Sequence, residues 1–120
     1  MPIQSYRELR VWRQAVRLAL RCYRLSARFP SDERFGLTSQ LRRAAVSVAA
    51  NIAEGHGRSS RRDYLRYVSI ARGSLKELET HLIIARGLGY LELPDLRQLL
   101  EETDHVGRML TVLRHRLESS

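Results

Sequence analysis

A chain of 120 residues with 43% hydrophobic and 28% charged side chains has the length of one domain and enough apolar material for a modest core. No apolar run approaches the roughly 20 residues of a membrane span, and the N-terminus MPIQSYRELR lacks an apolar signal segment, so a cytoplasmic, single-domain protein over residues 1–120 is expected. One cysteine excludes an internal disulfide, and a net charge of +8 from twenty Arg and one Lys points either to a polyanionic partner or to solubility alone.

Ser5 and Glu8 have the spacing of a capping box, which predicts a first helix from about Tyr6. Leu9, Trp12, Val16, Ala19 and Tyr23 come next at steps of three and four and predict its core stripe. Arg7, Arg10, Arg13, Arg17, Arg21, Arg24 and Arg28 step the same way and occupy roughly a third of the circumference. Val11, Ala15, Leu18, Leu20, Cys22 and Leu25 lie beside the stripe. That apolar arc is wider than one bundle helix requires, and it predicts contact with a second subunit. Cys22 reads as a small buried hydrophobe. Phe29-Pro30 ends the helix, because proline disfavours helical geometry in the residue before it.

Ser31 or Asp32 is positioned to cap the next helical element. A second helix takes its core from Leu37, Leu41, Ala44, Ala45, Val48 and Ile52 and closes near Gly55. Its ten residues Ala44 to Ala53 carry no charge, so almost no polar face remains for solvent. Small residues on its far side, Val46, Ala50 and Ala53, permit close approach of another helix. With Leu18 and Leu25 they form the expected subunit interface. Ser60 and Asp63 again have capping spacing. The third helix shows a clean heptad in Tyr64, Val68, Ala71, Leu75, Leu78, Leu82 and Ala85. Gly87 and Gly89 stop it, and Tyr90-Leu91 is expected to fold back as an apolar plug. Pro94 and Asp95 suit the first turn of a fourth helix with Leu99, Thr103, Val106, Leu110, Leu113 and Leu117 inward. Four helices with short connections make an all-α, antiparallel, up-down-up-down four-helix bundle.

Catalytic chemistry has little to rest on. Glu102 and His105 form one Glu-x-x-His, whereas a di-metal bundle needs two such motifs and two further carboxylates. Glu77 and His81 read as an i,i+4 surface pair. His56, between two glycines, has no nucleophile beside it, and the glycines lack the preceding strand of a dinucleotide site. No catalytic residue, metal site or cofactor is expected, and the protein reads as a non-enzyme. Asn51 and Glu54 flank the uncharged stretch; Asn51 is expected to fix register, and Glu54 to pair with an arginine such as Arg43, Arg58 or one from a neighbouring subunit.

The arginine face is the sharpest functional signal. A guanidinium offers phosphate two parallel hydrogen bonds, and a row of them matches a nucleic-acid backbone. Arg10, Arg13, Arg17, Arg21 and Arg24 are the expected RNA or DNA contact stripe, with Arg58, Arg61 and Arg62 of the turn between helices two and three second. No aromatics are interleaved, so base stacking is not indicated. A solvated face, or pairing with Glu101, Glu102 and Asp104 of a neighbour, reads the same arginines equally well.

Phe29-Pro30, Phe35-Gly36-Leu37, Gln40-Leu41-Arg42-Arg43-Ala44, Asn51-Ile52-Ala53-Glu54-Gly55 and the segment Gly73 to Glu79 together resemble the four-helix-bundle family encoded by intervening sequences of bacterial 23S ribosomal RNA genes. They resemble, more distantly, the accessory protein of diversity-generating retroelements. The resemblance covers nearly the whole chain. It implies an up-down bundle assembled as a ring, typically a homopentamer, with nucleic-acid binding inferred for the family. A ring that docks a protein partner is the alternative it leaves open.

Overall fold

The computed structural model of the protein describes residues 5–119. Four helices, α1 (Arg10–Ser26), α2 (Leu37–His56), α3 (Arg61–Gly87) and α4 (Leu93–Ser119), account for most of them, and no strand occurs among the described residues. Each helix packs on the one before it, and α4 closes back on α1. The short connections make neighbours antiparallel. The result is the expected up-down-up-down bundle, 46 × 25 × 21 Å. The α1–α4 seam is the loosest of the four.

The core is one cluster. Leu41, Val48, Ile52, Val68, Leu75, Leu78, Leu82, Leu99, Val106 and Leu110 are all essentially inaccessible. The heptad of α3 is realised from Val68 to Ala85, with Tyr64 packed at its margin. Leu91 is buried as a plug, Tyr90 packs on Phe29 at 5.6 Å between ring centroids, and its hydroxyl donates to Glu33 at 2.9 Å. That bond ties the α1–α2 connection to the α3–α4 connection.

Three local expectations are corrected. Tyr6–Glu8 is a 3-10 turn, not the start of α1; Ser5 Oγ accepts from the Arg7 N–H, Leu9 is extended, and α1 begins at Arg10. The contact of the Tyr6 and Trp12 rings, at 5.1 Å, folds this turn back against the helix. Ser31 and Asp32 lie in a second 3-10 turn, and it is Glu33 Oε1 that accepts from the Leu37 N–H at the start of α2. α2 closes near Gly55 as expected, running to His56 with its cap at Gly57. The third correction concerns the phase of α1. Its buried line is Val11, Ala15, Leu18 and Cys22, while Trp12, Val16 and Ala19 are half-buried and Tyr23 is 43% exposed. Both lines are apolar at the same spacing. The one with Ala15 and Cys22 lets α1 approach its neighbours closely, and the bulkier line with Trp12 and Tyr23 is turned to the margin.

Candidate nucleic-acid interface

The rotation of α1 decides what the arginines do. Arg10, Arg13, Arg17 and Arg24 are exposed. Arg13 donates to the Glu8 carbonyl at 3.0 Å and Arg17 to Gln14 Oε1 at 2.9 Å, so both are held along α1 by neutral acceptors. Arg10, Arg13 and Arg17 line one cleft of about 310 Å³ with Gln14, His105 and Met109, at the α1–α4 seam. No Asp or Glu lines it among the described residues. Three guanidinium groups around one hollow without a carboxylate make a strongly anion-attracting surface.

Arg21 belongs to a different environment. It pairs with Glu102 of α4 at 3.2 Å, within the same chain. Among the described residues, pairing of the arginine face with α4 acids therefore occurs at this position, and Asp104 pairs instead with Arg108 of its own helix. Burial holds the Glu102 carboxyl above its ordinary value, and Arg21 pulls it only part of the way back. Burial first, and then the nearby Glu102 charge, push the Cys22 thiol up to about 12 against a lowering by Arg21. Cys22 is an inert core thiol.

At the α2–α3 turn, Arg61 and Arg62 are exposed. Arg58 donates to Glu54 Oε1 and, at 2.8 Å, to the Tyr67 hydroxyl, and its guanidinium lies 4.9 Å from the Tyr67 ring centroid. Glu54 thus finds the arginine expected of it. Arg66 covers the same ring at 4.7 Å. Asn51 is satisfied inside its own helix, donating to Ser47 O at 2.8 Å and Ser47 Oγ at 2.9 Å. Ser47 Oγ in turn shares a 2.8 Å hydrogen bond with Ser74 of α3. Register between α2 and α3 is carried by Ser47 and Ser74, with Asn51 behind them.

The proposed subunit face divides. Leu18, only 1% exposed, is in the core of its own chain and leaves that face. Leu25 and Ala53 are half-buried, and Ala50 is exposed. Val46 is 44% exposed and borders an apolar groove of about 360 Å³ between α1 and α2, where Trp12, Val16 and Leu20 face Ala49 and Ala50. Arg42, which donates to Ser26 Oγ at 2.8 Å and to Tyr23 O at 3.1 Å, closes the carboxyl end of α1 beside this groove.

His105, Gln14 and Met109 are the members of the arginine cleft that sequence reasoning missed. Their place depends on the phase of α4 against α1, and no residue pattern within either helix reveals it. Among the described residues no group of three or more His, Cys, Asp or Glu is placed to hold a metal ion, and no helix is long and apolar enough to cross a membrane. His81 keeps to its i,i+4 partner Glu77 at 3.4 Å.

These features define a basic, antiparallel four-helix bundle with a cationic seam on one side of α1 and an apolar groove on the other. The chain belongs to the family of 23S rRNA-intervening sequence proteins, whose family model matches residues 7–112. A solved protein of unknown function from the S23 ribosomal protein family, of Bacteroides thetaiotaomicron VPI-5482, is similar in fold. Its TM-score is 0.78 at 20% identity, over 87% of this chain and 97% of that one. No curated protein matches the chain.

Proposed function

We propose that this protein is a non-enzymatic, self-associating basic bundle of the cytoplasm that binds RNA or DNA through backbone phosphates. The observation that carries the reading is the carboxylate-free cleft of Arg10, Arg13 and Arg17. Arg24, Arg61 and Arg62 extend the cationic surface, while Arg21 and Arg58 contribute less because each has a carboxylate partner. The apolar α1–α2 groove is the face for self-association, and the family resemblance makes a homopentamer the expected assembly.

The test is binding to a structured RNA and a duplex DNA across a salt series, with the mass in solution measured alongside. Arg13→Glu with Arg17→Glu should weaken binding on the order of 10- to 100-fold at about 0.1 M salt and lower the salt slope by about 2. Unchanged affinity with an unchanged fold overturns the reading. A scaffold that docks a protein partner is favoured by one observation. Phe35 is 85% exposed, with the Arg34 guanidinium stacked 4.8 Å from its ring. Binding that ignores salt would move the weight to that reading.

A further inference from the structure

The arginine cleft is one end of a longer trough. A second hollow, about 510 Å³, adjoins it along the α1–α4 seam and shares Arg10, Arg13 and Met109. The walls of the combined trough are cationic, with Arg10, Arg13 and Arg17 from α1 and Arg116 from α4. The lining between them is apolar, from Leu9 and Val11 on one side to Met109, Val112 and Leu113 on the other. Glu8, at the outer end, is the carboxylate among the residues that line it. The looseness of the seam explains this floor, since α1 and α4 do not close over it.

A ligand that offers only phosphates would satisfy the walls and leave the floor in water. A duplex does this. Its phosphates are outside, its bases are stacked inside, and a rigid double helix does not enter a hollow the size of a small-ligand pocket. A single strand can present both parts at once. Among the described residues no Phe, Tyr or Trp lines the trough, but unstacked bases also lie on apolar side chains and on guanidinium planes, while the phosphates on either side meet the arginines.

We propose that the α1–α4 trough is a seat for single-stranded nucleic acid, taking a base over Met109 and the flanking phosphates on Arg10, Arg13 and Arg17. The inference rests on the phosphate-binding reading and narrows it to one strand type and one seam. It extends the stripe to Met109 and His105 and away from Arg21, which is held by Glu102.

The experiment compares a labelled oligouridylate with an RNA duplex of the same length, on the full chain and on Met109→Gln and Met109→Glu. Both replacements are linear side chains close to methionine in size, and they differ in charge and in the donor that the amide keeps and the carboxylate lacks. The glutamate places a carboxylate in the middle of the trough without removing an arginine. Single-strand affinity should fall about tenfold in Met109→Glu relative to Met109→Gln, while duplex binding, which also draws on Arg24, Arg61 and Arg62 outside the trough, falls less. His105→Glu against His105→Gln, at an exposed position in the same cleft, repeats the comparison should Met109→Glu unfold. Equal single-strand affinity for the glutamate and glutamine forms overturns the trough, as does a duplex that binds as tightly as the single strand. If Arg13→Glu with Arg17→Glu still loses binding in that case, phosphate recognition survives and only its narrowing fails. If that variant also binds normally, both fall.

Discussion

Gly55 and Gly73 stand in helices that pack on each other, yet they tolerate different things. A Cβ at Gly55 would come within 2.8 Å of Tyr67 Cβ and 3.0 Å of Tyr64 Cδ1. Tyr67 Cβ is fixed to the α3 backbone, so relief requires a shift of the whole helix. Overpacking of this kind costs about 1–3 kcal/mol, against a gain of about 1 kcal/mol from the better helix former. At Gly73 nothing lies within 4 Å. Gly55→Ala should therefore lower stability and Gly73→Ala should raise it by up to about 1 kcal/mol, as read by urea unfolding. The same sign for both would contradict the close approach of α2 to α3. Glu102 gives a second contrast at this scale. Because its carboxyl is held above its ordinary value, folding favours the protonated form. That contribution is fully present below about 4.5 and is lost as pH rises through the raised value. Glu102→Gln should gain melting temperature relative to the parent as pH climbs from about 4.5 toward neutrality; a gap that narrows over that range would refute the buried-carboxyl account.

Individual helices were legible to the degree that each had a single apolar line. In α3, Val68, Ala71, Leu75, Leu78, Leu82 and Ala85 have no competing line, and all are buried. In α1 two lines interleave, Leu9-Trp12-Val16-Ala19-Tyr23 and Val11-Ala15-Leu18-Cys22, and periodicity ranks neither above the other. Tertiary packing selected the second. The excess apolar width of α1 is real all the same, since Leu20, at 49% exposed, and Val46 leave the groove to α2 uncovered. If copies of the chain meet there, Val46→Asp should give a smaller species by light scattering with its helical content unchanged. A parent chain that is monomeric at high concentration would sink self-association altogether.

At the scale of the whole molecule, the charge is distributed along the long axis. The Ser47–Ser74 bond and the contact of Gly107 with Leu75 lie near the middle of the bundle. The half with the α2–α3 turn, residues 5–18, 47–74 and 107–119, holds twelve Arg and four acids. The other half, residues 19–46 and 75–106, holds nine Arg or Lys and nine acids. The entire net charge therefore sits in one half, with the Arg10–Arg13–Arg17 cleft and with Arg58, Arg61 and Arg62. Counting along the chain hides this, because the chain reverses three times and each half collects pieces of all four helices. It is also why Arg10 to Arg24 read as one continuous stripe, although Arg21 and Arg24 lie in the balanced half and Arg21 meets an acid there.

The way the four helices close carries a consequence for how the molecule assembles in time. Three of the four interfaces join helices that are consecutive in the chain, the kind of local arrangement that lets helical bundles fold in microseconds to milliseconds. Only the α1–α4 seam, bridged by Arg21 and Glu102, brings together segments from opposite ends of the chain. Closing it carries the largest loop entropy with the fewest contacts in return. The cationic trough is thus expected to be the last part of the molecule to form as a chain folds, and the first to be lost when the bundle opens.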